Sequence, residues 1–132
     1  MSIHLNEIKG VKCSSIASGI KSNNSLDLSL IYLIEDSSTA AVFTQNIFCA
    51  APVLVAKNHL NHKIQALLIN SGNANAGTGK KGLENSFKSC EIIAEELSIK
   101  PEQVLPFSTG VIGQLLPIDS IENNANQLVN SL

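Results

Sequence analysis

Two small hydrogen-bond donors that follow an apolar segment are the first candidates for chemistry in this sequence. Residues 103–107 lead into Ser108-Thr109-Gly110-Val111-Ile112-Gly113, where two hydroxyl side chains precede a glycine and two β-branched residues. The Thr109 hydroxyl and the Gly110 N–H can point the same way, and two convergent donors on a rigid backbone are what an oxyanion hole requires. An ordinary turn at the end of a strand fits the same pattern, and the pattern alone does not choose between the two.

A second stretch of small residues lies earlier in the chain, from Ile69 to Gly79. It holds three of the eight glycines and three asparagines, and after Ile69 it has no charged and no large side chain. Such residues predict a loop that a ligand or another backbone approaches closely. The stretch runs into a GxGxxG pattern at 77–82. A dinucleotide site needs those glycines directly after a strand, which these are not, and no Gly-Lys-Ser/Thr follows to make a phosphate-binding loop.

The other candidate motifs carry less weight. His59 and His62 have the i, i+3 spacing at which two imidazoles can share a metal ion, but no third ligand has a plausible spacing. We therefore interpret both as solvated histidines at a polar helix end. A GxSxG motif is absent, and only a very common chain start favours Ser2 as an N-terminal nucleophile. We expect no metal and no cofactor.

The spacing of apolar residues predicts a mixed α/β fold that holds the two small-residue stretches in place. Alternating or continuous apolar segments predict strands at 11–17, 26–34, 39–44, 63–70 and 103–107. A polar hairpin turn is expected between the second and third of these strands. Helices are predicted from Pro52, over the stripe Leu83, Phe87, Cys90, Ala94 and Leu97 up to Pro101, and from Pro117 over Ile121, Ala125, Leu128 and Leu132.

Composition limits the class of protein. At 132 residues the chain predicts a single domain, 1–132, and its net charge of −2 with five aromatic residues argues against nucleic-acid binding. No apolar run is long enough to predict a membrane span. The hydrophobic fraction is 44 % and the charged fraction 15 %, which suits either a surface covered by a partner chain or a monomer with a Ser/Asn-rich surface. The three widely spaced cysteines favour a reducing cytoplasm.

Six blocks of residues together identify a family resemblance over nearly the whole chain. The chain resembles the N-terminal part of the ornithine acetyltransferase (glutamate N-acetyltransferase, ArgJ) family. The matching blocks stand in the family's order and spacing, at Ala17–Lys21, Asp27–Ile31, Ala40–Asn46, Ala50–Val53, Ile69–Gly79, and Ser108–Gly113 with Leu116-Pro117.

The resemblance implies a fold, an activity and partners. It implies a partial DmpA/ArgJ-like fold and a precursor that cuts itself into an α and a β chain, assembled as an α2β2 heterotetramer. The new N-terminal Thr of the β chain is then the nucleophile, which takes acetyl from N-acetylornithine and passes it to glutamate in arginine biosynthesis; some members also accept acetyl-CoA. The family's oxyanion hole maps onto Thr109 and Gly110.

The chain departs from the family pattern in two places. The family's α chain continues past Ser108–Gly113 for several elements, so the nucleophile and the cleavage point are expected on another chain, and these residues alone are expected to be inactive. Cys13-Ser14-Ser15 stand where the family often has an aromatic residue and alanine. Two alternatives remain: a non-catalytic binding or assembly fragment, and an N-terminal-nucleophile amidase or aminopeptidase of the same fold.

Overall fold

The computed structural model of the protein describes residues 8–132, which form one four-stranded sheet and four helices. The strands are β1 (Val11–Ile16), β2 (Leu28–Leu33), β3 (Ala66–Asn73) and β4 (Val104–Val111). The helices are α1 (Ala51–His59), α2 (Gly79–Leu97), α3 (Ile118–Glu122) and α4 (Ala125–Asn130), and a 3-10 turn (Pro101–Gln103) precedes β4. The predicted mixed α/β class is confirmed. Over the described residues, no helix is both long and apolar enough to cross a membrane.

The topology of the sheet brings the two small-residue stretches together. The strand order is β1-β2-β3-β4, with antiparallel pairing except between β3 and β4, which are parallel. Parallel neighbours need a crossover connection, and α2 provides it between the end of β3 and the start of β4. The carboxyl ends of β3 and β4 therefore lie side by side, and each small-residue stretch begins within one of these strand ends.

The helices bury one face of the sheet. Strand side chains alternate between faces, and those on the helix side join a single apolar cluster with residues of all four helices. Its fully or almost fully buried members include Leu28, Leu30, Leu68, Val104, Val55, Ile93, Ile121 and Leu128. Burial of one such side chain contributes about 1.5–3 kcal/mol, so this layer is the main source of stability for the sheet. On the other face, Ile31, Leu67 and Ile69 are only partly buried.

The strand predicted at 39–44 is wrong. These residues have no regular secondary structure, and most of them are exposed. A strand at 39–44 would have to pair with β2 as a hairpin. Both edges of β2 are already occupied, by β1 on one side and β3 on the other. The segment instead continues past the sheet toward the start of α1.

Two helix predictions need correction at their ends. The helix expected to reach Pro101 stops at Leu97, because Ser98 takes a left-handed conformation with φ 56°. The final helix is broken into α3 and α4 at Asn123 and Asn124. The Asn124 amide donates to the Ser120 carbonyl at 2.8 Å, which is the local side-chain hydrogen bonding that makes asparagine a poor residue for a helix interior.

Candidate active site

Thr109 and Gly110 lie within a strand, which corrects the prediction that the strand ends at Phe107, before these residues. β4 continues to Val111, and its last residues pair with the first part of the other small-residue stretch. In the parallel register Thr109 stands beside Ser71, and Gly110 stands beside Gly72. The strand is extended because the small residues of β3 let the two backbones approach closely.

Gly110 is a position that only glycine fits. Its φ is +134°, a conformation that residues with a side chain rarely adopt. A Cβ placed there would lie 2.6 Å from the Asn73 nitrogen and 2.7 Å from the Gly72 carbonyl oxygen. Because both neighbours are backbone atoms of β3, neither can move aside without distorting the sheet. The packing of the two strands therefore fixes the Gly110 backbone.

The hydrogen-bond ladder directs the Gly110 N–H away from β3. The Gln103 carbonyl accepts from the Gln65 N–H at 2.9 Å and the Val111 carbonyl from the Ala74 N–H at 2.9 Å, so the odd-numbered residues of β4 face β3. Backbone groups alternate along a strand, and the even-numbered residues, including Gly110, therefore face the other edge. Among the described residues no strand pairs with that edge. The Gly110 N–H is thus available to a ligand or a partner.

The Thr109 side chain borders an apolar groove at this edge. By strand alternation it lies on the same face as Leu105 and Phe107, and it is exposed. The groove has a volume of about 340 Å³ and runs between β4, residues 41–44 and the start of α1. Its wall includes Val42, Phe43, Pro52, Val53 and Phe107. Thr109 therefore lines this groove, and the Gly110 N–H follows it in the chain at the open edge of β4.

Two buried asparagines of β3 connect that strand to both ends of the segment that carries the pair. Asn70 is 3 % exposed, and its Oδ1 accepts from the Ser108 hydroxyl at 2.6 Å. Asn73 is 4 % exposed, and its Nδ2 donates to the carbonyls of Gln114 and Leu115, each at 3.1 Å. The Asn70 Nδ2 also donates to the backbone carbonyl of Asn73 at 2.8 Å, which links the two residues. From the sequence alone these asparagines were predicted only as loop formers.

Gly82, the last glycine of the GxGxxG pattern, has a packing role next to Asn75. Asn75 is completely buried with φ 46°; its Nδ2 donates to the Gly82 carbonyl at 2.9 Å, and its Oδ1 accepts from the Thr78 hydroxyl at 2.9 Å. A Cβ on Gly82 would collide with the Thr78 side chain. The Ala51 N–H donates to the Asn75 carbonyl at 3.1 Å, so the same residue joins the start of α1 to the first turn of α2. Asn75 therefore joins the starts of α1 and α2 to the segment that follows β3.

Asp27 orders the turn that packs against Gly72. Its buried carboxylate accepts from the Ser18 N–H at 2.7 Å, the Ser18 hydroxyl at 2.8 Å and the Lys21 N–H at 2.8 Å. Burial by itself raises the pKa of Asp27, but these hydrogen bonds outweigh it and hold the pKa below its usual 3.8. A Cβ on Gly72 would lie 2.9 Å from the Lys21 Cγ, so this turn forms the outer contact of the strand end. Asp27 was not predicted from the sequence as an organising residue.

The interpretation of both histidines as solvated is wrong for His59. His59 is buried, its ring packs against Phe87 with centroids 5.7 Å apart, and its Nδ1 donates to the Val104 carbonyl at 2.8 Å. A carbonyl can only accept, so this nitrogen carries the proton. His62 is exposed. Over residues 8–132 no three His, Cys, Asp or Glu side chains cluster closely enough to hold a metal ion.

Known proteins are similar to this chain in both sequence and fold. The family model described as "ArgJ family" matches residues 12–132. The chain belongs to the ArgJ family. It is 50 % identical over 119 residues to the arginine biosynthesis bifunctional protein ArgJ of Methylococcus capsulatus, covering 90 % of this chain and 29 % of that protein. It is 47 % identical over 119 residues to the ArgJ protein of Neisseria meningitidis serogroup A, again covering 29 % of that protein.

Two solved structures share the fold. The ArgJ protein of Bacillus halodurans superposes with a TM-score of 0.85 at 40 % identity, over 90 % of this chain and 63 % of that one. The ornithine acetyltransferase of Mycobacterium tuberculosis, solved with ornithine, superposes with a TM-score of 0.87 at 34 % identity, over 92 % of this chain and 67 % of that one. The predicted DmpA/ArgJ-like fold is confirmed. The chain spans about 29 % of the length of its curated relatives.

Proposed function

We propose that this chain is the α-side part of a glutamate N-acetyltransferase that moves acetyl from N-acetylornithine to glutamate in arginine biosynthesis. In this proposal Thr109 and Gly110 form the oxyanion hole, and a separate β chain brings the N-terminal Thr nucleophile. The observation that carries the proposal is the outward Gly110 N–H beside the exposed Thr109 hydroxyl, in a member of a family of arginine biosynthesis proteins.

The proposed acetyl transfer requires these two residues to stabilise an oxyanion. Attack of a hydroxyl on the acetyl carbonyl turns its oxygen into an oxyanion, and donors already in place stabilise that charge without reorganising. The hydroxyl proton passes to the nucleophile's own α-amine, which acts as the base and then protonates the leaving ornithine nitrogen. The acetyl group stays on the nucleophile, and the amine of glutamate then attacks the same carbonyl. Because the oxyanion forms in both halves of the cycle, Thr109 and Gly110 serve both steps.

The surface around the pair supports a partner on this side. Val42 is 99 % exposed and Ile112 65 % exposed, and Phe48 and Phe107 are also exposed. We call these four residues the apolar rim. Val42 and Phe107 both line the groove that Thr109 also lines, and Phe48 and Ile112 both lie against Gly77. Stable monomers rarely leave large apolar patches in water, which favours a covering chain.

The proposal extends to the organisation of the protein. Residues 1–132 are taken as one domain, the N-terminal portion of the α chain, which joins β chains in an α2β2 heterotetramer and is inactive without them. The substrates are N-acetylornithine and glutamate, with acetyl-CoA as a second acetyl donor to be tested. The free thiols Cys13, Cys49 and Cys90 favour the reducing cytoplasm as its location.

A chimeric enzyme tests the proposal. This chain replaces the matching 119-residue region of Methylococcus capsulatus ArgJ, and acetyl transfer from N-acetylornithine to glutamate is measured. We expect the chimera to be active, and Thr109→Ala to lower its kcat by roughly 10²- to 10³-fold, the usual cost of one lost donor. Thr109→Ser keeps the hydroxyl and is the matched control. An unchanged rate in Thr109→Ala would refute the oxyanion assignment.

The same chimera separates the alternatives. A folded, assembled chimera that transfers no acetyl group would favour a non-catalytic assembly fragment. Hydrolysis of amino-acid amides or peptides in place of acetyl transfer would favour the amidase or aminopeptidase alternative. The 132-residue chain assayed by itself checks the expectation that it has no activity.

A further inference from the structure

The segment that carries Thr109 and Gly110 needs support that the sheet alone does not give. Among the described residues β4 is an edge strand, paired only with β3, and Val111 is its last residue. Edge strands and chain segments just beyond them are the parts of a sheet that open most easily. An oxyanion hole nevertheless needs its donors fixed, because a displacement of about 1 Å can cost about 10²-fold in rate.

Side chains of β3 supply that support on both sides of the pair. Before it, the Ser108 hydroxyl donates to the Asn70 Oδ1 at 2.6 Å. After it, the Asn73 Nδ2 donates to the carbonyls of Gln114 and Leu115 at 3.1 Å. The Asn73 Oδ1 is occupied as well, because it accepts from the Asn75 N–H at 2.7 Å. Both asparagines are almost completely buried, so water does not compete for these bonds.

We propose that Asn70 and Asn73 are positioning residues for the candidate oxyanion hole: they fix the two ends of residues 108–115 and so the direction of the Thr109 and Gly110 donors. The inference rests on the proposed function. Neither amide reaches a reacting atom in this proposal; each acts through the backbone that it holds. An amide is required because each side chain donates and accepts at the same time, which neither a carboxylate nor an aliphatic side chain can do.

Asn73→Asp isolates this role. Asp keeps the oxygen that accepts from the Asn75 N–H, but it places a second acceptor against the carbonyls of Gln114 and Leu115. Asn124→Asp is the matched control: the Asn124 Nδ2 also donates to two carbonyls, those of Ser18 at 3.4 Å and Ser120 at 2.8 Å, but it lies in the α3–α4 turn. Both variants therefore lose an amide donor shared by two carbonyls.

The chimera with Methylococcus capsulatus ArgJ carries the kinetic test. We expect Asn73→Asp to lower kcat by roughly 10- to 100-fold with KM nearly unchanged, since the donors are still present but displaced. Ser108→Ala, which removes only the bond to Asn70, should lower kcat in the same way but less. Asn124→Asp should leave kcat within about twofold, because neither carbonyl that its amide holds belongs to residues 108–115.

A double-mutant cycle with Thr109→Ala distinguishes positioning from general damage. If Asn73 acts through Thr109, Asn73→Asp costs much less in the Thr109→Ala background than in the parent. Equal costs in both backgrounds, or equal losses in Asn73→Asp and Asn124→Asp, would overturn the inference. If Thr109→Ala itself leaves the rate unchanged, the proposed function fails, and the catalytic role of Asn73 fails with it.

Amide hydrogen exchange on the same chimera gives a readout that does not depend on catalysis. Exchange at 108–115 should be faster in Asn73→Asp than in the parent and unchanged in Asn124→Asp. Unchanged exchange at 108–115 in Asn73→Asp would show that this amide does not hold the segment, whatever the kinetics.

Discussion

Gly110→Ala is the substitution for which the structure predicts the clearest physical cost. The new Cβ would lie 2.6 Å from the Asn73 nitrogen and 2.7 Å from the Gly72 oxygen, at a φ of +134°. Backbone strain of this kind costs about 1–3 kcal/mol, and overpacking against atoms that cannot move costs a further 1–3 kcal/mol. We therefore expect the free energy of unfolding to fall by about 2–6 kcal/mol, a large share of the total for a small domain.

Gly113→Ala is the matched control, because it separates strain from collision. Gly113 also has a positive φ, +79°, but a Cβ there meets nothing within 4 Å. Gly113→Ala should therefore lower the free energy of unfolding only by the cost of a left-handed backbone, about 1–2 kcal/mol. The assay is urea unfolding of the purified chain, followed by circular dichroism. If Gly110→Ala destabilises the chain no more than Gly113→Ala does, the close approach of β3 and β4 is not as described.

Two further predictions concern buried ionisable side chains. The lowered pKa of Asp27 means that its stabilising effect is complete above the unfolded value near 3.8 and is lost as the pH falls through the folded value. Asp27→Asn should cost about 1.5–3 kcal/mol at pH 7 and progressively less below pH 3.8, whereas Asp36→Asn, at an exposed position, should change little. Burial raises the pKa of Cys90 to about 12, so a disulfide reagent at pH 8 should modify exposed Cys13 in the native chain and Cys90 only after unfolding.

For each of these two predictions, one result would contradict it. An Asp27→Asn variant that unfolds at the same urea concentration as the parent at pH 7 would remove the carboxylate from the account of the 18–21 turn. Modification of Cys90 as fast as that of Cys13 in the native chain would contradict its place in the core. Mass spectrometry of proteolytic peptides identifies which thiol has reacted.

The sequence predicted the features that depend on local patterns. The apolar run before Asn70 marked β3 within three residues at each end, and the spacing of Cys90 and Ala94 placed the buried side of α2. The family and the fold class were predicted correctly from six blocks of residues. Such signals lie in neighbouring residues or in composition, which the chain carries without its tertiary structure.

Features that depend on contacts between distant residues were missed. Residues 39–44 read as a strand because no local pattern reveals that β1 and β3 occupy both edges of β2. His59 appeared polar because its carbonyl partner, Val104, lies 45 residues away. The roles of Asn70 and Asn73 depend on the register of two parallel strands that α2 separates, and no spacing in the sequence encodes that register. The small polar residues at the end of β3 were the one local feature of the sequence that could have indicated these roles.

The most direct test of the central claim is the rate at which N-acetylornithine acetylates the nucleophile of the chimera in a single turnover. We expect Thr109→Ala to slow this step by roughly 10²- to 10³-fold, while substrate affinity and the Thr109→Ser rate stay close to those of the parent. Acetylation of the Thr109→Ala enzyme at the parent rate would contradict the assignment of Thr109 and Gly110 as the oxyanion donors.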